Sequence, residues 1–359
     1  MCNIDKISDA FSSKMANMSF ACACMIVLFH ATPASFTGSF TWWICHLVGR
    51  EGICMIAVPW FFFSSGFFLS GHLGECAGWW KREVSKRIRS LIIPFYIWMV
   101  ISLVFGVSIW YMKTYIFQMP VHNNSFSMPV ALFLLKIIGL HPFVDIGIFW
   151  YMRCLFFLVL ISPVLQWLTH WKWTALTIFS CLHLIVSWCF TNGYGMDFYF
   201  LFDRFISIRG GVYFFLGIII RSHISVLKYK VNIAISFLLI AITLLFLNNI
   251  ILLSGTTVWQ GVFEVVLVPF FLVGIFGLMT ENRLPRFITG SSFPMFLMHN
   301  MLLSLSSLGF KFIGLYGIEK YSLIMMFSRA AIAIGFSIVI SRYIHRCFPR
   351  VSMIIFGGR

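Results

Sequence analysis

SFACACMIVLFHATP, residues 19–33, is a helix-length apolar run whose one strongly polar side chain is the imidazole of His30. An ionisable group in hydrocarbon is costly, so a histidine inside such a run marks a functional site by default. The competing reading is a packing histidine, hydrogen-bonded across a helical bundle. On either reading the rest of the chain is the scaffold that places this ring and supplies its neighbours.

Composition fixes the solvent. The chain has 359 residues, 60% hydrophobic and 10% charged, with 42 Phe and 13 Trp. Soluble domains carry about 25% charged residues, so this is a polytopic membrane protein with the lipid bilayer as its partner. The net charge of +15 points to Lys and Arg retained on cytoplasmic loops and not to nucleic acid, because no basic domain stands apart from the apolar segments. Residues 1–18 are polar and mixed in charge, and no small-residue cleavage site follows the first apolar run; that run is expected to be a retained signal anchor. Cys22 and Cys24 form a C-x-C pair without histidine or a second pair at zinc spacing, so no metal site is expected and the ten cysteines read as reduced and structural.

A helix needs about 20 apolar residues to cross the hydrocarbon core. Segments near 18–37, 53–72, 89–111, 147–169, 173–191, 206–222, 231–252, 258–280, 287–309 and 322–346 meet that length. The expected fold is therefore all-α: one transmembrane domain over 1–359 with about ten spans. Both termini are expected in the cytoplasm, because this places most Lys and Arg inside. The longest outer connection, 111–147, carries His122, Asn123 and Asn124 and is a candidate external binding surface.

Several polar residues fall inside these spans. His30 lies in the outer half of the first. Arg153 and Glu264 lie about two turns in from the outer ends of the fourth and eighth. Arg329 sits at similar depth in the tenth and His299 mid-membrane in the ninth, while Asp197, Asp203, Arg204 and Arg209 crowd the outer entrance of the sixth. Charges gathered at one level are expected to face a shared, water-accessible cavity. Arg153 and Glu264 are read as functional groups or as a structural ion pair; His299 as a site residue or as a packing or gating residue; His183 as structural. The basic run Lys81-Arg82-Glu83-Val84-Ser85-Lys86-Arg87-Ile88-Arg89 suits a ligand, a lipid headgroup or topology alone.

These residues sit in an ordered set of motifs that resembles the acyltransferase 3 family, polytopic enzymes that O-acylate cell-surface glycans. MIVLFH, ending at His30, resembles the family's first-helix signature; VPWFFFSSGFFLSG (58–71) its second helix; RIRSLIIPFYIW (87–98) its basic loop entering the third. FWYMRCLFFLVLISPVL (149–165) resembles the fourth, and SIRGGVYFFLGIIIR, SSFPMFLMHNMLL and PRVSMIIFGGR resemble later segments. The family usually carries Arg or Lys eleven residues before the histidine; here that residue is Ser19. The resemblance implies a multi-pass protein of the cell inner (plasma) membrane. It implies an acyl-CoA donor, usually acetyl-CoA, held from the cytoplasmic side, and a sugar hydroxyl of a lipid-linked or surface glycan as acceptor. His30 then suits the general base, since imidazole titrates near neutrality. An acyl-histidine intermediate is the variant of this chemistry. Arg153 would polarise the thioester carbonyl or bind the acceptor, with His299 and Glu264 as the remaining catalytic candidates. Arg82, Lys86, Arg87 and Arg89 would hold the CoA phosphates, because guanidinium groups bind phosphate bidentately. Two other classes stay open: a transporter or flippase for a lipid-linked sugar or small anion, and an acyltransferase-like scaffold without activity.

Overall fold

The computed structural model describes residues 7–32, 40–49, 52–74, 77–116, 150–191, 207–227, 230–253, 260–315, 318 and 321–358, and every regular element among them is helical. The helices used below are α1 (Asp9–Ala31), α2 (Phe40–Val48), α3 (Ala57–Ser70), α4 (Trp79–Arg87), α5 (Ile93–Tyr111), α6 (Trp150–Leu160), α7 (Ser162–Leu168), α8 (Lys172–Thr191), α9 (Ile208–Arg221), α10 (Val231–Leu253), α11 (Gln260–Leu278), α12 (Arg286–Thr289), α13 (Ser292–Phe312), α14 (Ser322–Cys347) and α15 (Pro349–Ile355).

Six helical stretches among the described residues are long and apolar enough to cross a membrane: Asp9–Ala31, Ile53–Ser70, Trp79–Tyr111, Ser162–Cys189, Ser292–Phe312 and Ser322–Cys347. Trp150–Leu160, Val231–Leu245 and Leu267–Leu278 are shorter apolar helices. The apolar segment read as 147–169 is interrupted, because Pro163 at the start of α7 lacks the N–H that would continue α6. The basic stretch expected as a loop is helical instead: α4 runs through the π-helical turn Ile88–Ile92 into α5 as one element. Outward side chains such as Val100, Val104, Phe336 and Val339 are more than half exposed, the pattern of helices whose solvent is lipid.

The start of α1 lies nine residues before the apolar segment expected from residue 18. Ser8 caps it, its Oγ accepting from the Phe11 N–H at 3.3 Å, with Asp9 in the first turn. The polar first turns are held by tertiary contacts. Asn17, 3% exposed, donates through Nδ2 to the carbonyls of Thr280 (3.1 Å) and Asn282 (2.9 Å) and accepts from the Leu284 N–H (3.2 Å). Lys14 lies 3.6 Å from Glu281. Asn17 thus ties α1 to the turn that leads to α12 and α13. Replacing Asn17 with Ala removes three hydrogen bonds and leaves backbone groups unsatisfied; the expected cost is about 2–4 kcal/mol. A lowered melting temperature in detergent, larger than that of Asn17→Asp, which keeps the acceptor, checks this.

The core is aromatic. Phe11 packs on Phe67 and Phe276 at centroid distances of 5.6 and 5.5 Å, and Trp60 on Phe276 at 5.7 Å. Beside it α3 and α9 cross with their backbones in contact. A Cβ at Gly66 would collide with the carbonyl of Phe214, and one at Gly217 with the carbonyl of Phe63. Small residues at such a crossing let two spans approach more closely than side chains permit.

Candidate active site

α1 and α13 bring His30 and His299 together. Their ring centroids are 4.9 Å apart, with the planes tilted by 43°. His299 is fully buried, and its Nδ1 lies 2.7 Å from the Phe296 carbonyl, one turn back on α13. A carbonyl only accepts, so Nδ1 carries the proton and a neutral His299 keeps its lone pair on Nε2. That Nε2 is buried and has no hydrogen-bond partner among the described residues. His30 is half-buried and also touches Phe29 edge-on at 5.2 Å. A buried ring acceptor beside a half-buried imidazole can orient the latter and stabilise it when it gains a proton.

Arg329 of α14 donates to the Ala31 carbonyl at 3.3 Å, at the C-terminal end of α1. The last carbonyls of a helix lack intrahelical donors, so this guanidinium fixes the turn that carries His30.

A cavity of about 280 Å³ lies along the same face of α1. Its walls include Ser19, Ser64, Tyr151, Ser292 and Phe296, and Arg87 at its basic end. Phe296 borders both the cavity and the histidines, with centroids 5.6 Å from Tyr151 and 6.1 Å from His299. Neither histidine is among the lining residues. Ser19 stands ~16 Å from His30 along the helix, by 1.5 Å rise over eleven residues. Its hydroxyl donates to the Met15 carbonyl at 2.8 Å and accepts from Trp60 Nε1 at 3.0 Å. This position is therefore occupied by a Trp–Ser pair, with Arg87 reaching the same cavity from α4.

A second, more open pocket of about 620 Å³ is walled by Lys81, Arg82, Lys86, Arg87 and Arg89. Arg87 lines both spaces. Glu83, 6% exposed, is 3.6 Å from Lys86 and 3.8 Å from Arg87, and anchors both side chains from beneath. One carboxylate against five cations leaves the pocket strongly positive, a setting for a multiply charged anion. The π-helical turn after Arg87 shifts the helical register and brings Arg89 and Ser90 to the pocket as well.

The other expected residues are placed differently. Arg153 is half-buried on α6 and lines neither space; two residues beyond Tyr151, it leaves the helix about 200° away from that ring. Glu264 lies on α11, and its side chain is outside the described residues, as are Asp197, Asp203, Arg204 and residues 122–124. His183 is buried on α8. Among the described residues no cluster of three or more His, Cys, Asp or Glu could hold a metal ion. The paired serines went unread in the sequence. Ser64-Ser65 within an aromatic-rich run and Ser291-Ser292 before Phe293 are the available signal, small polar groups where a span would otherwise be apolar.

Fold and site together define a multi-pass helical membrane protein with a buried and a half-buried histidine in contact, near a cavity lined by serines and aromatic rings. The family model described as an acyltransferase domain, that of acyltransferase 3, matches residues 20–346, and the chain belongs to that family. It is accordingly a membrane acyltransferase by family. Comparison with curated proteins and with solved structures finds no match.

Proposed function

We propose that the chain is an O-acyltransferase that moves an acyl group, acetyl in the first instance, from acyl-CoA to a hydroxyl of a lipid-linked or cell-surface glycan. The observation that carries this reading is Arg87. It belongs to a five-cation pocket suited to the phosphates of CoA and also lines the cavity whose wall, Phe296, packs on His299. A donor anchored by its phosphates on α4 would lay its thioester arm along the serine-lined cavity toward the histidines. With both ends of the chain in the cytoplasm, the basic pocket faces the side where acyl-CoA is found. On this reading the protein lies in the inner (plasma) membrane and its acceptor is reached from the other face.

Acyl transfer to an alcohol needs a base for the hydroxyl proton and donors for the developing oxyanion. In the reaction proposed, His30 takes the acceptor's hydroxyl proton as the oxygen attacks the thioester carbonyl. The tetrahedral intermediate collapses with cleavage of the C–S bond, and the CoA thiolate takes the proton back from His30. His299, whose buried Nε2 lone pair is unpaired among the described residues in the resting structure, would accept from the His30 ring only once that ring turns toward it on gaining the proton. Arg153 is proposed to polarise the carbonyl or hold the acceptor, with Glu264 as its partner or as a further acid–base group.

The donor half is tested at the basic pocket. Arg87→Gln with Arg89→Gln should raise the KM for acetyl-CoA about a hundredfold, two phosphate contacts at about 1.5 kcal/mol each being lost, with a smaller change in kcat. An unchanged KM, with altered membrane insertion only, would return these residues to a topological role.

A further inference from the structure

One wall of the basic pocket is built from two glycines among the described residues. After α15 the chain turns through Phe356, Gly357 and Gly358, and both glycines line the pocket opposite the cations of α4. This segment is held firmly. Trp98 Nε1 donates to the Ile355 carbonyl at 2.8 Å, and Phe356 is fully buried between the Trp98 ring (6.1 Å, 22°) and the His345 ring (5.5 Å, 8°). Phe356 is right-handed in ψ (φ −111°, ψ 8°), and the glycines that follow are left-handed, at φ 67° and 71°. This is the left-handed glycine cap of α15; the Phe356 N–H is held by the Ser352 carbonyl at 2.9 Å, so the N–H groups this turn could offer an anion are those of Gly357 and Gly358. Gly357 also sits so close to α4–α5 that a Cβ there would lie 2.5 Å from the Ser90 carbonyl. The Ser90 hydroxyl, on the α4–α5 side that Gly357 abuts, is buried and has no hydrogen-bond partner among the described residues.

We propose that Phe356-Gly357-Gly358, latched on Trp98, is a backbone wall that positions a phosphate of the donor against Ser90 and the α4 cations. The inference rests on the acyl-CoA reading above and adds a positioning element to it. Glycine is required at 357 because the wall must touch Ser90. At 358, where nothing lies within 4 Å of an added Cβ, the absence of a side chain leaves room for the anion. A pocket of about 620 Å³ is larger than one phosphate needs and within the range of sites for nucleotide-sized ligands. A phospholipid headgroup carries the same chemistry, so the test separates the two.

Full-length protein in nanodiscs of neutral phosphatidylcholine is titrated with coenzyme A, and again in discs containing phosphatidylglycerol. Gly358→Asp and Gly358→Asn are compared, since both residues tolerate positive φ and differ by one charge. The expected result is CoA binding about tenfold weaker for Gly358→Asp than for Gly358→Asn, the gap narrowing as salt rises. Equal affinities for the two variants, while Arg87→Gln/Arg89→Gln abolishes binding, would overturn the wall and leave the donor pocket standing. No CoA binding by the unaltered protein in neutral discs would overturn both. Loss of CoA binding in phosphatidylglycerol discs that saturating CoA does not reverse would assign the pocket to the headgroup and overturn both. Should Gly358→Asp melt below Gly358→Asn, labelling of the thiol introduced by Gly358→Cys decides, read by mass spectrometry of its peptide. Saturating CoA slows that labelling if the wall is in contact with the donor, and an unaltered rate contradicts it.

Discussion

His30→Ala is expected to remove acyl transfer while the protein still inserts and purifies as a monodisperse species. General-base catalysis contributes about 10²–10⁴-fold, so the loss should be at least two decades in kcat with little change in the KM for the donor, whose phosphates are proposed to sit at the other end of the cavity. The substitution is mild for the fold. His30 is only half-buried, and the end of α1 is held by the Arg329–Ala31 contact and by packing of Ala31 and Val27, both fully buried. The readout is the mass of surface glycans from cells carrying each variant, together with donor turnover by the purified protein. Near-normal transfer by His30→Ala would take the imidazole out of the mechanism and return it to a packing role.

The second large effect is on stability. Gly66→Val should break the α3–α9 crossing, because even a Cβ at 66 overlaps the Phe214 carbonyl and a backbone group cannot move aside as a side chain end can. Overpacking costs typically 1–3 kcal/mol, and here the two helices must separate along the core, so a loss at or above about 3 kcal/mol is expected. Gly217→Val should act alike through the Phe63 carbonyl. Gly106→Ala is the control: it lies on the exposed face of α5 with nothing within 4 Å of the added carbon, and replacing a mid-helix glycine there should be neutral or slightly stabilising. Thermal unfolding in detergent separates the cases; equal melting temperatures for all would mean the crossing is loose.

The helical, membrane-embedded class was legible because hydropathy over about 20 residues is set by the bilayer itself. Element boundaries were less so. Hydropathy marks what lies in hydrocarbon, so it missed the polar turns of α1 that Asn17 and Lys14 tie to residues 280–284. It also ran through the α6–α7 break at Pro163. The ten-span count stands against six long apolar helices and three shorter ones among the described residues. α9, fourteen residues from Ile208 to Arg221, is ~21 Å long, short for a crossing of about 30 Å. The site was partly legible. Intramembrane histidines are rare enough to be found by eye, yet a separation of 269 positions hides the contact of His30 with His299, which only the α1–α13 packing creates. The Ser19–Trp60 pair and the sharing of Arg87 between two cavities have no local sequence signal.

The most direct measurement is thioester cleavage by purified protein in nanodiscs given acyl-labelled acetyl-CoA and a glycan hydroxyl acceptor. Release of free CoA thiol matched by label on the acceptor, present with the unaltered chain and lost with His30→Ala, is the predicted result. Uptake of sugar or anion into vesicles with the thioester left intact, or label transfer that is indifferent to His30, would contradict it.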